Sequence, residues 1–343
     1  MKRLLNTLYI TSPETYLCKE GNTVKVEVEH ETRLKVPIHN LSSVVCFGPV
    51  TLSPPLMELC SNHNVSMAFF NEWGKFQARV HGRVSGNVLL RRKQYRSADL
   101  EEFCIQFTRS ILAAKLMNSR TVLLRAIRDR PEAQGNTILN HAQQKLAVII
   151  KELPDTRNLE TLRGKEGDAA KIYFGAFDHL ITRNKDTFYF KERNRRPPLD
   201  SMNALLSFIY TLLTHDVVSA LEGVGLDPAV GFLHKDRPGR PSLALDLVEE
   251  FRSCLADRIA LSLVNLQQIG AKGFQKMESG AVLMDDDTRK TVLVAWQNRK
   301  QEEITHPFLG EKLSVGLLFH VQAQLLARHL RGDLEIYPPF FWK

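Results

Sequence analysis

Three short segments of this 343-residue sequence carry residue types that could do chemistry together. In Leu162-Arg163-Gly164-Lys165-Glu166-Gly167-Asp168-Ala169-Ala170 an acid sits between two glycines at the expected start of a helix, where backbone and ligand can approach closely. Gly231-Phe232-Leu233-His234 puts an imidazole directly before the basic loop Lys235-Asp236-Arg237-Pro238-Gly239-Arg240-Pro241. Ser242 then reads as the cap of a helix carrying Asp246, Glu249 and Glu250. Leu243, Leu245, Leu247 and Val248 surround Asp246, so this acid is expected near the buried side, with Glu249 one turn on along the same face. Acids on an apolar face are costly unless positive charge stands opposite. A divalent cation could supply that charge, held by carboxylate oxygens and one imidazole, a donor set that suits Mg²⁺ or Mn²⁺. Such an ion could polarise a phosphodiester oxygen, activate a hydroxyl or water nucleophile and stabilise the leaving alkoxide. Spacing alone leaves a plainer reading open, in which His234 is structural and the D-x-x-E pair is a salt-bridged surface.

Other chemistries lose weight. The sequence has no GxxxxGK[ST] loop, no HExxH and no GxSxG, and Gly223-Val224-Gly225 meets Pro228 where a dinucleotide fingerprint needs its third glycine. Five cysteines without a CxxC pair fit neither a zinc ribbon nor a disulfide framework, and buried free thiols are expected. The net charge of +8 is concentrated: Met1–Leu90 has nine basic residues against seven acidic, Arg91–Arg130 ten against four, and Arg183–Arg196 six against two. A phosphate-binding groove would need such a distribution, and so would a solvated helix face. The best apolar stretch, Ala204–Leu213, falls short of a membrane span and no secretory signal is evident, so a soluble, cytoplasmic protein is expected.

The elements that must hold these residues fall into two parts. Up to about residue 90 the pattern is β: Leu8–Ile10, the alternating Thr23–His30 after a Gly21-Asn22 turn, Arg33–Ile38, Val44–Phe47, Val65–Phe70 and Lys75–Val84, with a short helix after Ser53-Pro54-Pro55. Beyond a boundary near residues 86–96, apolar residues recur at helical spacing in Leu100–Met117, Ala142–Leu153, Gly167–Leu180, Met202–Leu221, Ser242–Gln268 and Leu313–Leu330. The expectation is a two-domain α+β fold: a small β-rich domain over 1–90 and a larger all-α domain over 91–343.

The run KEGDAAKIYF, the segment Arg196-Pro197-Pro198-Leu199-Asp200-Ser201-Met202-Asn203 with its following helix, and the GFLH…DLVEEFR pattern occur in this order. Together they resemble the CRISPR-associated spacer integrase, the "Cas-one" family of CRISPR adaptation, of a type I-C system, over nearly the whole chain. The resemblance implies an Mg²⁺ or Mn²⁺ site made of Glu166, His234 and Glu249, with Asp246 as a supporting or alternative ligand. Family members often carry Asp at the last position, so which oxygen of the longer Glu249 reaches the metal stays open.

It also implies an endonuclease and integrase that joins the 3′-hydroxyl ends of a spacer duplex into the CRISPR repeat by transesterification. A structure-specific repair nuclease or a non-catalytic DNA scaffold are the rival readings. DNA contacts would come from Lys165, Tyr173, Arg193, Arg195, Arg196, Arg237 and Arg240, with core packing as the alternative for Tyr173. The β domain would mediate a homodimer that assembles with a small "Cas-two" protein, and a type I-C setting would add a "Cas-four" nuclease. The apolar segment Tyr337–Trp342 is expected to pack on a core or partner.

Overall fold

The alternation of Val24, Val26 and Val28 does form a strand. The computed structural model describes residues 6–72, 74–80, 82 and 88–342. Its strands β1 (Asn6–Ile10), β2 (Thr15–Glu20), β3 (Thr23–Val28), β4 (Glu31–Pro37), β5 (Leu41–Phe47) and β6 (Val50–Leu52) precede helix α1 (Pro54–Asn62), and β7 (Ser66–Phe70) and β8 (Phe76–Val80) follow it. In the β2–β3 hairpin Glu20 pairs with Thr23, so Gly21-Asn22 is the whole turn, and Gly21 takes the left-handed φ of +60° that the turn requires. One four-stranded sheet has the order β1-β5-β7-β8, parallel except for β8; the other has the order β4-β3-β2-β6. Leu17, Val24, Val44 and Met67 from the strands meet Leu56, Leu59 and Cys60 of α1 in one apolar core. Proline opens α1, where no N–H is needed, but the side chain of Ser53 makes no capping bond. The expected strand end at Val84 and the start of the expected boundary lie outside the described residues.

The helices are α2 (Val88–Ala98), α3 (Glu101–Asp129), α4 (Asn136–Glu152), α5 (Leu159–Ala176), α6 (Ser201–Val224), α7 (Ser242–Val248) and α8 (Arg258–Asn265). Short strands β9 (Phe274–Lys276) and β10 (Val282–Met284), helix α9 (Asp286–Gln301), strands β11 (Glu303–Thr305) and β12 (Lys312–Ser314) and helix α10 (Val315–Arg331) complete the chain.

Two units result, and their limits differ from the expected 1–90 and 91–343. The first joins Met1–Ser85 to Met284–Glu302 and Ser314–Leu317; the second holds Gly86–Leu283, Glu303–Leu313 and Leu318–Lys343. Helix α9 thus belongs to the first unit, burying Val292, Leu293 and Trp296. Its start reads in sequence as a bare acidic run, yet Asp285 caps it by accepting the Thr288 N–H at 2.8 Å, and Asp286 and Asp287 occupy the first turn, which favours negative charge. The second unit carries all but the last residues of the two small β9–β10 and β11–β12 ribbons, so it is mainly, not wholly, helical.

Two helix assignments also change. Gly167–Leu180 belongs to a helix that begins earlier, at Leu159, with Asn158 as its cap. Ser242–Gln268 is not one helix: α7 ends at Val248, and a wider π-helical turn over Arg252–Asp257 precedes α8. Among the described residues α6 is the one helix long and apolar enough to cross a membrane, longer than the sequence reading allowed. More than half of its apolar window is buried inside the structure.

Candidate active site

Asp246 organises the histidine loop. Its carboxylate is fully buried; Oδ2 accepts the backbone N–H of Phe232 at 2.7 Å and of Leu233 at 3.0 Å, and Oδ1 accepts that of His234 at 3.0 Å. The same Oδ1 lies 2.7 Å from His234 Nδ1. With Nδ1 as the donor, the ring is fixed in the tautomer whose Nε2 lone pair is open to a ligand. The loop is pinned from two other sides. Arg163 of α5 donates to the Leu233 carbonyl at 2.7 Å, and Phe232 packs edge-on against Phe103 and Phe107 of α3. Gly231 has to be glycine because a Cβ there would stand 2.8 Å from the Ser242 carbonyl carbon and 2.9 Å from Asp246 Oδ2.

Glu166 lies in the middle of α5, not at its start, one turn beyond Arg163. Beside the flanking Gly164 and Gly167 there is open space. Glu249 follows the end of α7 and is buried. These two carboxylates converge on one cation, the ammonium of Lys115 from α3, which pairs with Glu166 and stands 2.8 Å from Glu249 Oε2. Arg252, aimed by the π-helical turn, holds Glu249 Oε1 at 2.9 Å. Burial pushes the Glu249 carboxyl up, but Arg252 and Lys115, with His234 beside them, overcome this and hold it well below the usual carboxylate range. Glu249 Oε2 nevertheless receives no aligned hydrogen bond.

Among the described residues no three His, Cys, Asp or Glu side chains gather into a ready-made metal shell. The donor set still fits a hard divalent cation. Two carboxylates already converge on one positive charge, one of their buried oxygens faces the Lys115 ammonium without an aligned bond, and His234 is held by a carboxylate as metal-binding histidines are. Asp246 does not belong to that set, since each of its oxygens is already committed to backbone donors.

Behind Glu249 lies a polar layer. The guanidinium groups of Arg193 and Arg252 each lie over the Tyr210 ring, 5.2 Å from its centroid, and its hydroxyl donates to Asp257 at 2.6 Å. Burial raises the Asp257 carboxyl to about 6, against the pull of Tyr210, Tyr173 and the two arginines. Next to Glu249, burial raises Glu250 to about 7 despite donors from Tyr337 Oη at 2.5 Å, the Phe340 N–H at 2.7 Å and Gln322 at 2.8 Å. These bonds seat Tyr337 and Phe340 in the core.

Several expected DNA contacts are otherwise engaged. Tyr173 is buried among Phe174 and Phe177, its hydroxyl beside Asp257 without an aligned bond, so the two-turn spacing from Glu166 points it into the core. Arg193 binds Asn203 at 2.7 Å and Ser207 at 3.0 Å, and Lys165 pairs with Glu152. Part of the basic stretch Arg91–Arg130 is spent within the unit: Arg91 on the Gly225 carbonyl, Arg109 on that of Thr156, Arg120 on Gln143. Arg195, Arg196 and Arg237 are exposed, and Arg240 is half-buried. Burial depresses Arg240, and the positive fields of Arg237, Arg195 and Arg252 add to this against Asp246, so unpaired guanidinium groups cluster beside the histidine loop.

Sequence reasoning missed Lys115, Arg163, Arg252, Tyr210 and Asp257. Lys115 interrupts the apolar stripe Phe107–Ile111–Leu116, and Arg252 stands one turn from Glu249; both signals were present. Nothing local marks Asp257.

A β-sheet unit joined to a mainly helical unit is a fold with solved counterparts. A CAS1 protein from Thermotoga maritima superposes with a TM-score of 0.81 at 26% identity, covering 96% of this chain and 97% of that one. A casposase bound to integration product shares the fold, with a TM-score of 0.84 at 20% identity over 99% of this chain and 95% of that one. Residues 8–298 match the family described as CRISPR associated protein Cas1. The CRISPR-associated endonuclease Cas1 1 of Chlorobaculum tepidum is 52% identical over 343 residues, the full length of both chains. The chain belongs to the CRISPR-associated Cas1 family.

Proposed function

We propose that this protein is a Cas1-type DNA integrase and endonuclease. It joins the 3′-hydroxyl ends of a short duplex to phosphates of a CRISPR repeat, one phosphodiester replacing another. The observation that carries the reading is the convergence of Glu166 and Glu249 on a single cation beside a histidine fixed by Asp246. Glu166, Glu249 and His234 Nε2 would hold Mg²⁺ or Mn²⁺. Bound there, the ion would supply Lewis-acid stabilisation of charge on the phosphate and the departing oxygen.

The protein's own residues do the rest. Asp246 keeps His234 in one tautomer and position. Arg252 keeps Glu249 ionised in a buried place. Arg195, Arg237 and Arg240 offer unpaired guanidinium groups to backbone phosphates, which suits an enzyme that must accept duplexes of any sequence. Tyr173 and Arg193 support the layer behind the site.

The partners follow the same reading. A Rhodospirillum rubrum relative, 37% identical over 336 residues, is a fusion of a Cas4 exonuclease with a Cas1 endonuclease, and a fold neighbour is part of a Cas6-RT-Cas1–Cas2 complex. We therefore assign Cas2 and Cas4 as partners; a homodimer through the β-sheet unit and a type I-C setting are proposed with them on the sequence resemblance alone. A neighbouring repeat–spacer array with genes for both partners tests that setting.

The activity is tested with a repeat-bearing plasmid and duplexes with free or dideoxy-blocked 3′ ends. Joining should require the free hydroxyl and divalent metal, and should be lost in Glu166→Ala, His234→Ala and Glu249→Gln. Metal-dependent cutting of branched DNA without joining would favour a repair nuclease instead. Activity unchanged in all three variants would leave only a DNA scaffold.

A further inference from the structure

The cation between Glu166 and Glu249 is part of the chain. Lys115 emerges from the apolar stripe of α3, its side chain only 11% exposed, and its ammonium meets both carboxylates. Arg252 neutralises Glu249 from the opposite side. Two negative charges are thus balanced by two positive ones. A divalent ion entering between the carboxylates would raise the positive count to four in a half-buried place, where unscreened like charges repel strongly.

One of the two side chains must then move away. Arg252 is fixed by the face of Tyr210 and by its place on the π-helical turn. Lys115 is held through its ammonium alone, on a flexible four-carbon stem, and Glu166 on its open side is 28% exposed.

We propose that Lys115 is a built-in placeholder for the divalent cation: it draws Glu166 and Glu249 together before the metal binds and is displaced by it. Lys115 is thereby a positioning residue, and it sets metal affinity by competition. This inference rests on the metal reading of the site, and the experiment separates the two.

Mn²⁺ binding is followed by isothermal titration for the wild type, Lys115→Met, Lys115→Arg and the double variant Glu166→Gln/Glu249→Gln. Removing the competing charge should tighten Mn²⁺ binding in Lys115→Met by about tenfold, while Lys115→Arg stays within about threefold of the wild type. A merely structural lysine would leave affinity unchanged or weaken it on removal. A second measurement needs no variant: acetylation of Lys115 by an N-hydroxysuccinimide ester, mapped by mass spectrometry, should rise at least about threefold when Mn²⁺ frees the ammonium. Labelling of the exposed Lys171 should stay constant.

No Mn²⁺ binding by the wild type, or binding indifferent to the double variant, would remove the metal reading and the placeholder with it. Binding that needs both carboxylates, but without tightening in Lys115→Met and without increased labelling, would overturn the placeholder alone.

Discussion

Asp246→Asn is the perturbation whose outcome follows most directly from the geometry. The native carboxylate accepts four hydrogen bonds, two on each oxygen. Asparagine keeps one acceptor oxygen. Seated in place of Oδ2, it retains the N–H groups of Phe232 and Leu233, and its own NH₂ then faces the His234 N–H and the ring. A buried N–H left without an acceptor costs about 1–3 kcal/mol, and the retained bonds lose the strength that came from the charge, so the helical unit should lose about 3 kcal/mol. The ring has one escape from donor facing donor: moving its proton from Nδ1 to Nε2, which removes the lone pair that a ligand would need. Urea unfolding with linear extrapolation measures the first effect, and long-range ¹H–¹⁵N NMR of the imidazole measures the second. Loss of less than about 1 kcal/mol, together with a proton still on Nδ1, would refute the role derived for this carboxylate.

Three more outcomes are expected. Gly231→Ala forces a Cβ to 2.8 Å from the Ser242 carbonyl carbon and 2.9 Å from Asp246 Oδ2, and it should cost about 1–3 kcal/mol in urea unfolding because neither neighbour can yield. Asp257, raised in the fold from 3.8 to about 6, is an acid whose protonated form the fold prefers. Its contribution is therefore present below pH 3.8 and lost as pH rises through about 6. Asp257→Asn cannot ionise, so its stability relative to the wild type should climb by about 2 kcal/mol between pH 4 and 8; parallel curves would contradict this. Finally, Arg195→Ala, Arg237→Ala and Arg240→Ala should each weaken duplex DNA binding about equally for unrelated sequences and reduce the slope of log affinity against log salt by about 1. Fluorescence anisotropy at several salt concentrations measures both.

Periodicity was a good guide to the β-sheet unit and to the long helices, because there the burial pattern is local: Val24 and Val26 must face one side, and α6 must be buried along most of its length. It failed where an element depends on its first residues. The charged start of α9 hides a cap and a favourable helix dipole, and the continuous apolar pattern after Ser242 hides the break into a π-helical turn. The site divides in the same way. Glu166, His234, Asp246 and Glu249 stand out as candidates from residue type and order. The difference between a carboxylate that has spent all its acceptors and one still facing a lone cation was not, because it depends on the backbone of residues 232–234 folding over Asp246. Tyr173 shows the opposite error: helical spacing gave its phase relative to Glu166 but not which side of α5 meets the aromatic core.

The bonds around Glu250 impose an order in time. All three of its donors, Gln322, Tyr337 and the Phe340 amide, lie far downstream, the last of them 90 positions away. Asn118, by contrast, is available early; its amide takes the Glu250 carbonyl and that of Phe340, and so waits on the same segment to finish the join. A nascent chain whose exit from the ribosome has not passed the tunnel with residues 322–340 therefore holds this acid without a single side-chain donor, immediately beside Glu249. An incomplete translation product contains every candidate acid and the histidine, but not the downstream groups that satisfy Glu250 beside them.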